Sequence, residues 1–150
     1  MPETRVKVGI RLDPEPSDLV SWLGDAAAFD AAGADALWVE LVPAPDRDPV
    51  AVLAALAVVT FRALLVTAPL EATETIDRLA RGRLRLADQQ EESWLAVEPP
   101  QGRADWRAVM AGAAEQQHHG VIVPIDPRLL DLLRNPDDEV DRRDLQLSIG

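Results

Sequence analysis

The chain has no cysteine and no tyrosine, a single lysine (Lys7) and only two histidines, the neighbours His118 and His119. Without cysteine there are no disulfides, thiolate ligands or thiol nucleophiles, and several enzyme classes fall together. Adjacent histidines at a helix end point in different directions and have no third partner, so no metal site is expected. No apolar run approaches the roughly 18 residues of a membrane span, and MPETRVKVGI lacks the basic-then-apolar layout of a signal peptide. A cytoplasmic protein without a membrane partner is the expectation. The formal charge is −11 with no Lys/Arg stripe, which repels nucleic-acid phosphates. No P-loop, GxGxxG, GxSxG or HExxH pattern occurs.

What is present is an α/β alternation. The 150 residues, 47% hydrophobic, suit one domain spanning 1–150. Three times an amphipathic helical pattern meets a glycine and continues as a short apolar strand: AAFDAAGADALWVE, IDRLARGRLRL and AEQQHHGVIVP. Gly33, Gly82 and Gly120 are read as left-handed helix ends. Strands are predicted at Val6–Leu12, Ala36–Val42, Ala63–Ala68, Arg83–Ala87, Val121–Ile125 and Leu145–Ile149. Helices are predicted at Leu19–Ala32 (capped by Ser17 or Asp18), Val50–Thr60 (Asp48-Pro49), Glu74–Arg81 (Thr73), Asp105–His119 and Arg128–Arg134 (Asp126-Pro127). Between Asp88 and Pro100 two readings stand: a minimal helical return before a strand SWLAVE, or a short helix and no strand.

Strand parity favours a closed or rolled sheet over a doubly wound one. One parity is apolar throughout (Val8, Ile10; Leu37, Val39; Val121, Val123), as a helix-covered face requires. The other carries Lys7, Arg11, Trp38, Glu40, Arg85, Trp94, Glu98 and Asp126, whereas helices on both faces would make both parities apolar. The fold expected is a compact TIM-barrel-like (βα)n domain of six to eight mainly parallel strands.

The ordered segments AAAFDAAGADALWVELV, DPVAVLAALAVVTFRALLVTAPL and TIDRLARGRLRL resemble the N-terminal half of the bacterial luciferase-like flavin-dependent monooxygenases over residues 5–86. The matched positions include Asp48, Pro49, Thr60, Arg62, Asp77, Arg78 and Gly82-Arg83-Leu84, and the composition resembles actinobacterial proteins. The resemblance implies a (βα)8 barrel, FMN or the deazaflavin F420 as cofactor, and oxidation of a small organic substrate. The chain departs from the pattern in its length, in Glu40-Leu41-Val42-Pro43 after the second strand, and in Ala87-Asp88-Gln89 after the fourth.

On this reading Glu40 and Asp88, at strand ends near the barrel mouth, are the candidate catalytic carboxylates. Arg11, Trp38 and Trp94 are the candidate cofactor contacts, and a homodimer would complete the pocket. A second reading stays beside it: a non-catalytic minimal barrel, with Lys7, Arg11 and Arg85 neutralising Glu40, Glu98 and Asp126 inside it and tryptophans filling the remainder. Arg47 and Arg103 are weaker candidates for receiving a phosphate.

Overall fold

Helix α1 (Leu19–Ala32) starts where the Asp18 carboxylate accepts the N–H groups of Val20 and Ser21, and ends at Gly33, whose φ of 108° only glycine adopts freely. The Ser21 hydroxyl, followed by the two backbone donors, holds the Asp18 carboxyl below the usual range. Asp48 caps α2 (Pro49–Val59) in the same way, with proline at the first helical position. The computed structural model describes residues 5–136, so the strand expected at Leu145–Ile149 lies outside the described residues.

Six strands alternate with these helices. They are β1 (Lys7–Arg11), β2 (Ala36–Val39), β3 (Leu64–Thr67), β4 (Leu84–Leu86), β5 (Trp94–Ala96) and β6 (Gly120–Pro124). The remaining helices are α3 (Thr73–Leu79), α4 (Arg103–Glu115) and α5 (Arg128–Arg134), with a 3-10 turn at Ala87–Gln89. Of the two readings of residues 88–100, the minimal return before a strand is the one found. All pairings are parallel, in the order β4-β3-β2-β1-β6-β5. Read from β5, this is chain order with one cut, between β4 and β5.

The order explains where the helices sit. The connections β1 to β2, β2 to β3, β3 to β4 and β5 to β6 all step the same way, and right-handed crossovers then place their helices on one face. The core confirms it: Ile10, Leu37, Leu65, Val121 and Val123 pack with Phe29 of α1, Leu56 of α2, Ile76 of α3, Ala113 of α4 and Leu129 of α5. The apolar parity meets the helices, as the sequence pattern predicts.

The N-terminal end of the sheet is tied by three polar knots. Asp30, 3% exposed at the end of α1, accepts the N–H groups of Phe61, Arg62 and Ala63 at 2.8, 3.0 and 2.7 Å. The Arg83 guanidinium donates to the carbonyls of Ala57, Thr60, Ala63 and Ala80 and to the Thr60 hydroxyl, so one side chain gathers the ends of α2 and α3 and the start of β3. Asp35 accepts from Val8 N–H and from both terminal nitrogens of Arg5.

The sheet edge at β4 is blunted. The Leu84 N–H is taken by Asp77 at 3.1 Å and its carbonyl by Arg85 at 2.8 Å, so an added strand would find those groups occupied.

Three local expectations are corrected. Thr73 does not cap α3; its hydroxyl donates to the Leu70 carbonyl. At the second αβ junction Arg81 (φ 54°) shares the left-handed turn with Gly82 (φ 81°). At the third, α4 stops at Glu115 and Gln117 (φ 61°) makes the turn, so Gly120 is a strand residue and not a helix end.

Replacing Asp30 by Ala strands three backbone donors at the α2–β3 corner. At about 1–3 kcal/mol for each unsatisfied buried group, partly relieved by water entry, the expected loss is roughly 3–5 kcal/mol of unfolding free energy. Urea denaturation followed by circular dichroism measures it, and a loss below 1 kcal/mol would mean that the knot is not formed.

Candidate functional site

With the five described helices on one face, the other face carries the alternate side chains of the strands. Its residues alternate with the helix-facing ones: Gly9 on β1, Ala36 and Trp38 on β2, Leu64 and Val66 on β3, Trp94 on β5, and Gly120 and Ile122 on β6. Ala36, Trp38 and Val66 are buried there, with Leu64, Ala87, Trp94 and Ile122 packed against them. The register sets Trp38 beside Arg11 at the C-terminal end of β1 and Trp94 beside Gly120 at the opposite end of β6. Each indole leans inward from its own end, and the rings meet edge to face with centroids 5.8 Å apart and planes at 70°.

Two glycines make room for this pair. A Cβ on Gly9 would lie 2.8 Å from Trp38 Nε1 and 3.2 Å from Trp94 Cζ3, and one on Gly120 would lie 2.5 Å from Trp94 Cε3. Gly120 is therefore required by close approach of a ring and not by backbone conformation. The indoles also carry an unmet demand, because both Nε1 donors are buried with no hydrogen-bond partner. Buried indole N–H groups normally find acceptors, and each unmet one costs about 1–3 kcal/mol.

The charged candidates lie elsewhere. Arg11, Glu40, Arg85, Asp88 and Glu98 are all exposed, and no ion pair or hydrogen bond joins them to one another among the described residues. The ion network expected inside the sheet is not formed. Lys7 pairs with Glu92 at 2.8 and 3.0 Å at the N-terminal end, Arg85 turns back onto the carbonyls of Gly82 and Leu84, and Asp126 accepts the Arg128 N–H at 2.9 Å. The physical reason is strand length for some and the sheet edge for another. Arg11, Glu40 and Glu98 fall at or just past strand ends, and Arg85 stands on the edge strand β4, where a long side chain reaches water at less cost than burial as an ion pair.

Trp38 and Trp94 are thus brought together, whereas Glu40, Asp88 and Arg11 are not joined to them or to each other. Arg47 and Arg103 are structural. Arg47 donates to the carbonyls of Val42 and Pro16, and Arg103, 3% exposed, pairs with Asp131 at 2.7 Å and donates to the Asn135 carbonyl.

Two features escape sequence reasoning. His119 Nδ1 accepts the Ser93 N–H at 3.0 Å with the Ser93 hydroxyl at 3.3 Å, a contact between residues 26 apart that no local motif announces. Asp25, on α1, has a buried Oδ1 with no partner, and burial raises its carboxyl above the ordinary range. A cleft of about 260 Å3 lies between α3 and β4, lined by Glu74, Asp77, Arg85 and Gln89 among others. It is smaller than the roughly 300–1,000 Å3 of drug-sized ligand pockets. Among the described residues no helix is long and apolar enough to cross a membrane. Compared by sequence with known protein families and with curated proteins, the chain matches none.

Gly9→Ala and Gly120→Ala push a methyl into the indole pair. Overpacking of this kind costs about 1–3 kcal/mol, with Gly120→Ala the more damaging because the Trp94 ring lies flush against it. Urea midpoints together with a change in tryptophan near-UV dichroism check this, and unchanged values for both variants would contradict the packing. Asp25→Ala removes a carboxylate whose folded-state pKa is raised. Its stability advantage over the unmodified chain is fully present above that raised value and fades as pH falls toward the ordinary carboxyl range, which paired denaturation curves from neutral to acid pH would record.

Proposed function

We propose that this chain is a minimal, catalytically silent relative of the luciferase-like flavin-dependent oxidoreductases. Its TIM-barrel-like sheet is rolled around a packed interior and serves as a scaffold. The observation that carries the reading is the edge-to-face Trp38–Trp94 pair seated over Gly9 and Gly120, in which the two rings proposed as cofactor contacts pack on each other and on the strands.

A rolled sheet is supported by the connection from β4 to β5. Strands lie about 4.8 Å apart, so the outer strands of a flat six-stranded sheet would be some 24 Å apart. Residues 87–93 alone bridge them, and three of these form a 3-10 turn rising about 2 Å per residue. The connection must also return from the C-terminal end of β4 to the N-terminal end of β5. Bringing the two edges toward each other relieves that demand, and it shelters the tryptophan face that none of the described helices covers.

The residues present do not fit a flavin. Indoles at 70° leave no parallel slot for a planar ring system. Arg11 stands in solvent at the rim, and Arg47 and Arg103 are committed to carbonyls and to Asp131.

One observation favours a second reading, in which FMN or F420 binds near Arg11, Trp38 and Trp94, and Glu40 and Asp88 act on a small organic substrate. The two unpaired indole donors would welcome an acceptor.

Thermal unfolding with FMN and with F420 separates the readings. A ligand at a hundred times its Kd stabilises by about 2.7 kcal/mol, which for a chain of this size raises the Tm by roughly 5–10 °C. The proposal expects a colourless purified protein and no shift with either cofactor. A yellow preparation or a shift of that size would establish the second reading.

A further inference from the structure

The large hydrophobic side chains exposed among the described residues fall into two groups at opposite ends of the sheet. Leu19, Val20 (81% exposed) and Val42 lie at the C-terminal end, where the loop after β1 and the loop after β2 are joined by the Val42 N–H to the Pro14 carbonyl. Val58, Phe61 (66% exposed) and Leu79 lie at the N-terminal end, at the corner where Arg83 binds carbonyls from both α2 and α3.

The charges around the two groups have opposite sign. The C-terminal group is surrounded by exposed Asp13, Glu15, Asp18, Glu40, Asp46 and Asp48, against exposed Arg11 and an Arg47 already bound to two carbonyls. The N-terminal corner presents exposed Arg62, Arg78 and Arg81. Arg81 is held there in a left-handed conformation (φ 54°) that costs a non-glycine residue roughly 1 kcal/mol or more. Burial chiefly holds the Arg83 guanidinium below its ordinary value, the buried Asp30 carboxylate opposes that, and the Arg81 charge adds to it. In a chain of net charge −11, residues 58–85 nevertheless carry five arginines against three carboxylates.

We propose that the chain associates head to tail with a second copy of itself, the acidic apolar end around Val20 docking on the basic apolar corner around Phe61. Each end supplies what the other lacks, a hydrophobic centre with a rim of opposite charge, which is the anatomy of a specific interface. Because the two surfaces differ, the contact is heterologous, and a pair of copies keeps one free surface of each kind, one on each copy. The inference stands whether or not the tryptophan face takes a ligand.

Sedimentation velocity across the micromolar to millimolar range tests it, using two variants built on exposed residues and checked for native dichroism. One carries Phe61→Gln and Arg62→Gln, the other Val20→Gln and Glu15→Gln. The unmodified chain should gain mass with concentration, continue past the dimer or close into a ring, and lose mass at high salt. Each variant alone should be monomeric, and an equimolar mixture should yield particles of two chains and no larger, since one intact surface of each kind remains. An unmodified chain that stays monomeric at all concentrations, a variant that assembles like it, or a mixture that stays monomeric would overturn the proposal.

Discussion

A parallel sheet whose described helices all lie on one side must still shield the apolar part of its other side, and here strand side chains do so. Every feature of the helix-free face answers that constraint. Small residues stand where rings cross the strands, two tryptophans pack edge to face over them, and Ala87 in the 3-10 turn packs against the cluster they build. Each residue contributes at roughly 25 cal/mol per Å2 of apolar surface removed from water, and an indole is the largest such contribution available. The pair achieves this at the expense of two N–H groups left without acceptors.

The two ends of the sheet have divided their tasks. At the N-terminal end three polar side chains gather the backbone: Asp30 takes three amides, Arg83 serves five oxygens, and Asp35 ties β1 to the segment before β2. Several polar residues of the recurring sequence segments are consumed here, Thr60, Asp77 and Arg83 among them. Their spacing reflects how βα units are clamped together, so a likeness built on them speaks for a scaffold and not for chemistry. At the C-terminal end the carboxylates of Asp18, Asp48 and Asp126 cap nearby backbone N–H groups, and Arg47 ties the loops after β1 and β2 through the Pro16 and Val42 carbonyls.

The helices and the layer they form were legible in the sequence because their signals are local. Asp18, Asp48 and Gly33 are caps that act within a turn, and the apolar parity of Ile10, Leu37 and Val123 needs only counting in twos. Strand ends were less legible: β2 stops at Val39, not Val42, because the partner strand β3 ends opposite it at Thr67. Gly120 looked like a helix end because the residue that demands it, Trp94, is distant in sequence. Parity correctly placed Trp38 and Trp94 on one face. It could not tell an interior position from a rim or an edge, and so it put Arg11, Glu40, Arg85 and Glu98 inside when the first two and Glu98 stand at or just past strand ends and Arg85 on the edge strand β4.

The central claim is that the helix-free face is closed by two touching indoles. An NMR spectrum with nitrogen-labelled tryptophan reads it directly through the nuclear Overhauser contacts and solvent exchange of the indole protons. The account predicts cross-peaks between the Trp38 and Trp94 rings and slow exchange of both their N–H protons, although neither is hydrogen-bonded. Absence of those cross-peaks, together with exchange as fast as that of a free indole, would show an open face and contradict it.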